Sequence, residues 1–239
     1  MSLQFIMGNS GSGKSYCLYD TVVREAIENP DKNYLVIVPE QFTMQTQKDL
    51  CLAHPKGGIM NIDVLSFGRL AYRVFEEVGQ DARVVLDDEG KNLVLRKIAG
   101  ECEKDLKVFK GNLKKQGYIS EVKSVLSEFA QYGVDFERLD DFMKEVPPES
   151  YLHYKLDDIR TIYEKFEEYL SEKYITKEEM LDVLSDAVPY SDILKGSVVA
   201  MDGFTGFTPV QNRLIGELFS VCEKVMITVT MDGRENPYV

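Results

Sequence analysis

Short apolar runs alternate with longer amphipathic stretches through the first third of the chain. Leu3 to Met7 is the first run and predicts a short buried strand. The stretch after it places Cys17, Leu18, Val22, Val23, Ala26 and Ile27 on one side of a helix. Tyr34-Leu35-Val36-Ile37-Val38-Pro39 predicts a second buried strand, rich in β-branched residues and ended by proline. Glu40-Gln41-Phe42-Thr43 then leads into a helical stretch reaching about Ala53, which the cluster His54-Pro55-Lys56-Gly57-Gly58 breaks. Ile62 to Ser66 predicts a third strand, and Phe67 to Val78 its helix. Strands alternating with helices at this spacing imply a parallel sheet with right-handed crossovers.

The pattern changes near Asp81. From there to Pro189 helical stripes dominate. Between Tyr151 and Lys173, Leu152, Leu156, Ile159, Tyr163, Phe166 and Leu170 step by four and three, a seam for packing on another helix. Ile119, Val122, Leu126 and Phe129 form a second stripe. Strand character returns at Ser197-Val198-Val199-Ala200-Met201-Asp202. A helix is expected over Val210 to Phe219, and a last strand over Val225 to Thr230. The chain stops soon after that strand, which suggests a piece of something longer.

One segment adds chemistry. Gly8-Asn9-Ser10-Gly11-Ser12-Gly13-Lys14-Ser15 is a full G-x-x-x-x-G-K-[ST] motif between a predicted strand and a predicted helix. Glycines let consecutive backbone N–H groups turn toward one anion. The helix N-terminus adds positive potential there. Lys14 would reach the outer phosphates, and the Ser15 hydroxyl would take a place on Mg²⁺ bound with ATP. The expected fold class is therefore α/β: a P-loop NTPase (RecA-like) parallel sheet flanked by helices. Residues 1–80 and 190–239 would form this domain, interrupted by an all-helical insert over 81–189.

Composition narrows the classes. The 239 residues are 44% hydrophobic, as in globular proteins, and no apolar run approaches a membrane span. No signal-peptide pattern opens the chain, so a cytoplasmic protein without membrane contact is expected. Cys17, Cys51, Cys102 and Cys222 show no C-x-x-C spacing and are expected as buried thiols. His54 and His153 stand apart, which argues against a histidine-based metal site. The net charge of −12 argues against a surface that grips nucleic acid everywhere, though a local basic groove remains compatible.

Asp202 ends an apolar strand where ligands bind in such sheets, and is the natural partner of Ser15 around Mg²⁺. In many P-loop ATPases a glutamate follows this aspartate and orients the attacking water. Here the position is Gly203, which cannot do so. No catalytic residue is assigned, and a weak or inactive ATPase is expected.

Asp202-Gly203-Phe204-Thr205-Gly206-Phe207-Thr208-Pro209-Val210-Gln211 resembles the second motif of superfamily 1 DNA helicases, roughly Asp-Glu-Phe-Gln-Asp followed by Pro-x-Gln. It keeps Asp202, Phe204, Pro209 and Gln211 but has Gly203 and Thr205 where those enzymes have glutamate and glutamine. With Val38-Pro39-Glu40-Gln41-Phe42-Thr43 and Leu65-Ser66-Phe67-Gly68-Arg69-Leu70, it is similar to the AddB (RexB) component of the AddAB-type (RexAB) ATP-dependent helicase/deoxyribonucleases. The resemblance implies a heterodimer with the AddA component, which holds the working motor, and resection of DNA double-strand breaks for recombination. It implies a motor-inactive role in recognising the Chi sequence. It also implies nuclease and iron–sulfur parts only in a C-terminal region absent here. The adenine-reading glutamine of those helicases has no room in the seven residues before Gly8.

Several side chains are candidates for DNA contact. Thr43, Ser66 and Arg69 follow strand ends where related helicases contact the strand. Lys110, Lys114 and Lys115 sit in a lysine cluster with Phe109 and Tyr118 nearby, the cation-plus-aromatic combination that single strands favour. Helix capping, surface pairing and a solvated helix end explain the same residues. Two other readings stay open: a catalytic P-loop enzyme such as a small-molecule kinase, and a structural module with a relic P-loop.

Overall fold

The computed structural model describes residues 2–79, 83–112, 115–171 and 173–231. In chain order the elements are β1 (Ser2–Gly8), α1 (Lys14–Glu28), β2 (Tyr34–Ile37), α2 (Thr43–Ala53), β3 (Ile62–Leu65) and α3 (Phe67–Val78). Then come β4 (Val84–Leu86), α4 (Asp88–Glu101), α5 (Gln116–Tyr132), α6 (Phe136–Glu145), α7 (Tyr151–Leu170), β5 (Tyr174–Thr176) and α8 (Glu179–Ala187). The last three are β6 (Val198–Met201), α9 (Pro209–Val221) and β7 (Lys224–Thr230). The chain forms two compact units: residues 1–80, 181–207 and 211–239 make the first, and 81–180 with 208–210 the second.

The first unit is α/β. Its sheet has the order β1-β7-β6-β2-β3, and every pair is parallel. β2 and β6 are central and buried at every position, as strands covered on both faces must be. Leu18, Val22, Val23 and Ala26 of α1 pack on Tyr34, Val36, Ala200 and Met226. Cys17 and Ile27, expected on the same side, are exposed, because the buried arc of α1 is narrower than the apolar one.

β1 departs from expectation. It is not a buried strand but an edge strand paired with β7 alone, and its side chains are largely exposed. A run of apolar residues reports strand formation, not position in the sheet, so an edge strand and a central strand read alike.

The second unit corrects the all-helical expectation. β4 and β5 pair in parallel, Val84 with Tyr174 and Leu86 with Thr176. Around them α4, α5 and α7 bury Leu95, Ile98, Ile119, Leu126, Ile162 and Phe166 in one core. Asp87, Asp135 and Ser150 cap α4, α6 and α7 by accepting N–H bonds from Gly90, Arg138 and His153. Asp158 of α7 is 1% exposed and accepts backbone N–H bonds from Lys107 (2.8 Å), Val108 (2.7 Å) and Phe109 (2.8 Å). Phe109 is thereby drawn into the core.

The thiols differ from expectation too. Cys102 and Cys222 are buried, and burial pushes both up in pKa, but Cys17 is exposed and Cys51 partly so. All four are free.

Glu167 of α7 is held at a pKa of about 7, by burial first and then by the neighbouring Glu179, with which it hydrogen-bonds. Glu179 is itself fixed by the Thr176 N–H (2.7 Å) and hydroxyl (2.9 Å). Lys91, Lys123, Glu178 and Tyr163 line the same small cavity as Glu167. An acid whose pKa is raised by folding binds a proton in the native state that the unfolded chain has released. Stability therefore falls as pH rises from the normal glutamate range, about 4.5, through about 7. Denaturant titrations at pH 5, 6 and 7.5 should show that decline, and Glu167→Gln should flatten it.

Candidate functional site

Parallel register sends the C-terminal ends of all five strands of the first unit to one edge. Gly8 lies opposite Thr230, Met201 opposite Ile227, and Ile37 opposite both Met201 and Leu65. The loop after β1, the segment after β2, Ser66 and Asp202 therefore leave the sheet along the same side, where α/β sheets bind ligands.

The loop Gly8 to Ser15 is a tight turn. The Ser12 N–H donates to the Asn9 carbonyl at 3.1 Å. Gly11 and Gly13 have φ of 76° and 84°, left-handed values that a side chain would strain. Gly13 stands at the N-cap of α1 without a side-chain cap, so the first N–H groups of the helix stay available. Lys14 Nζ donates to the Asn9 carbonyl at 2.7 Å, which folds the ammonium back over the loop. The Ser15 side chain is exposed.

Asp202 is 6% exposed, and its two carboxylate oxygens accept from different hydroxyls. Tyr19 donates to Oδ2 at 2.7 Å, and Thr228 of β7 to Oδ1 at 2.6 Å. The Tyr19 oxygen also lies 3.2 Å from Thr46 Oγ1. Burial pushes the Tyr19 phenol well above its ordinary range, and the Asp202 carboxylate adds to this, so the proton stays on tyrosine. Each oxygen of Asp202 keeps a further lone pair. A hydroxyl and a carboxylate are the hard oxygen donors that Mg²⁺ takes beside phosphates, so Ser15 and Asp202 fit that ion chemically. Among the described residues no group of three or more His, Cys, Asp or Glu forms a metal site on its own.

Gly203 follows with φ of 78°. A Cβ there would stand 3.5 Å from both Phe42 and Pro39, which is ordinary contact, so the constraint is the backbone and not space. Phe67, Phe204 and Phe207 make a row with ring centroids 5.3 and 5.1 Å apart.

The DNA-contact candidates have local roles. Thr43 is buried and its hydroxyl donates to the Glu40 carbonyl at 3.0 Å. Ser66 is buried and caps α3 by accepting the Arg69 N–H at 3.3 Å. The Arg69 side chain is over half exposed and lies 3.3 Å from Glu40. Lys110 and Lys115 are exposed, and Lys115 donates to Asn112 at 3.2 Å and lies 6.0 Å from the Tyr118 ring. Lys114 lies outside the described residues. Phe109 is core and offers no free ring face.

Residues 5–238 match the family described as ADDB, N-terminal. The chain belongs to the ADDB N-terminal family. Relatives agree. The AddB-type ATP-dependent helicase/deoxyribonuclease subunit of Lachnoclostridium phytofermentans is 48% identical over 235 residues, covering 98% of this chain. Proteins of the same name from Clostridium tetani and Alkaliphilus metalliredigens are 37% and 35% identical over 98% and 97% of it. The chain spans 20% of the length of each of these relatives.

Sequence reasoning placed the loop and Asp202 but missed Tyr19 and Thr228. Signals existed for both. Tyr19 lies one helical turn after Ser15, on the same face of α1. Thr228 is a lone buried hydroxyl in the otherwise apolar core of β7.

Proposed function

We propose that this chain is the nucleotide-binding, motor-inactive N-terminal region of the AddB component of a helicase–nuclease that processes DNA double-strand breaks. On this reading the loop is a P-loop: Lys14 and the N–H groups of Gly8 to Ser15 bind the phosphates of ATP. Ser15 and Asp202 would hold Mg²⁺, which neutralises phosphate charge when bound. Tyr19 and Thr228 keep the Asp202 carboxylate ionised and aimed. The single observation that carries the reading is a complete glycine–lysine–serine loop beside a held aspartate, followed by Gly203 where hydrolysis needs glutamate. AddA would be the heterodimer partner and carry the motor. The chain would work in the cytoplasm in recombinational repair, contributing to Chi-type recognition in single-stranded DNA. Of the described DNA candidates, Arg69, Lys110 and Lys115 have exposed cationic side chains suited to phosphate contact.

Calorimetric titration with Mg·ATP tests the reading. Saturable binding is expected, with turnover far below about 1 per second; turnover at or above that rate would sink it. Gly203→Glu should not restore hydrolysis. Left-handed backbone costs a side chain about 1–2 kcal/mol, so the variant should unfold earlier. A phosphate-release assay and a melting curve on the same sample check both parts.

A further inference from the structure

β1 is an edge strand of a kind that native proteins seldom leave bare. Ser2 N–H donates to the Glu223 carbonyl at 3.0 Å, and the Gly8 carbonyl accepts from Met231 N–H at 3.2 Å. Backbone direction alternates along a strand, so Ser2, Gln4, Ile6 and Gly8 face β7. The N–H and C=O groups of Leu3, Phe5 and Met7 therefore point to the open edge, since among the described residues β7 is the only strand paired with β1. Their side chains are 47%, 51% and 62% exposed. The strand carries no proline, lysine or other charge, the usual means of blunting an edge.

A groove of about 380 Å³ runs beside this edge, lined by Leu3, Phe5, Phe204, Phe207, Ile215 and Phe219 among others. Among the described residues none that lines it is charged, in a chain where 28% of residues are. Unpaired backbone beside an uncharged aromatic groove accepts an added strand: main-chain bonds give affinity and alternate side chains fill the groove.

We infer that the open edge of β1 takes a further apolar strand, supplied by the part of the AddB polypeptide that extends beyond these residues. The family description is of an N-terminal region, and the relatives are about five times as long as this chain, so the occupant can come from the same polypeptide. A tethered strand joins at high effective concentration, without the entropy of association. A second copy is the poorer occupant, because each copy carries a net charge of −12 and like-charged surfaces repel. The inference rests on the sheet and on family membership, not on nucleotide binding.

The test is hydrogen exchange resolved to single amides on the AddB polypeptide at the full length of its relatives, as a monomer and without AddA. The amides of Leu3, Phe5 and Met7 should exchange at least ~100-fold more slowly than free-chain rates. Benzoylphenylalanine at position 5 should cross-link within the same polypeptide, to a residue beyond 239. Fast exchange at all three amides overturns the inference. So does protection or cross-linking that appears only with AddA, or only as concentration is raised.

Discussion

Asp158→Ala is expected to unfold the second unit at much lower denaturant, while its neighbour Asp157→Ala leaves the midpoint almost unchanged. Asp158 is 1% exposed and satisfies three consecutive backbone N–H groups, of Lys107, Val108 and Phe109. Alanine leaves all three without an acceptor. Each buried donor so orphaned costs about 1–3 kcal/mol, so the loss should be about 3 kcal/mol or more. Phe109, 5% exposed in the core, follows directly on these donors, so packing is lost with the hydrogen bonds. Asp157 instead pairs with Lys107 at 2.8 Å, both side chains more than a third exposed. Such exposed pairs contribute about 1 kcal/mol at most. Asp158→Asn should fall between, since an amide has one accepting oxygen and its NH₂ would face an N–H. Urea midpoints for the three variants check the order. Equal effects of Asp157→Ala and Asp158→Ala would show that the N–H cluster is hydrated and not held by the carboxylate.

The two aspartates also mark how far the sequence could be read. The seam Leu156, Ile159, Phe166 and Leu170 was legible, because helical spacing puts those residues on one line. Asp158 and Ile162, four residues apart, lie at the other margin of that buried arc. A carboxylate there reads as solvent-facing unless its partners are known. Those partners are backbone groups some fifty residues away, which no local pattern encodes.

The same division holds elsewhere. The five strands of the first unit announce themselves as compact apolar runs, but their order does not. Order is set by which faces the helices cover, and so β1 read as buried when it is the edge. β4 and β5, three residues each, are too short for any period to show. The glycine loop was legible because its chemistry constrains residue type at every key position. The clamp on Asp202 was not, because a tyrosine on α1 and a threonine in β7 serve equally well as filler. What joins them is the register that brings Asp202 next to β7.

Lys14→Ala should abolish measurable Mg·ATP binding while leaving the fold intact. In this structure the lysine makes one side-chain bond, to the Asn9 carbonyl on its own exposed loop. Losing it should change stability by no more than about 0.5 kcal/mol. Against phosphate the same ammonium offers three donors to a full negative charge, worth about 2–3 kcal/mol, or roughly 30- to 150-fold in affinity. The larger figure is favoured here by the rest of the molecule. A chain of net charge −12 repels a nucleotide at long range, so affinity depends on the few groups that reverse the local field. The loop N–H groups, the start of α1 and Lys14 are those groups. Asp202 works against a bare phosphate and with a magnesium-bound one, so chelating the metal should weaken the wild-type chain as well. Parallel calorimetric titrations of the wild type, Lys14→Ala and the wild type in EDTA, with melting curves beside each, separate the contributions. Undiminished binding in Lys14→Ala would place the nucleotide somewhere other than this loop. A collapsed melting curve would mean that the bond to Asn9 holds the turn itself.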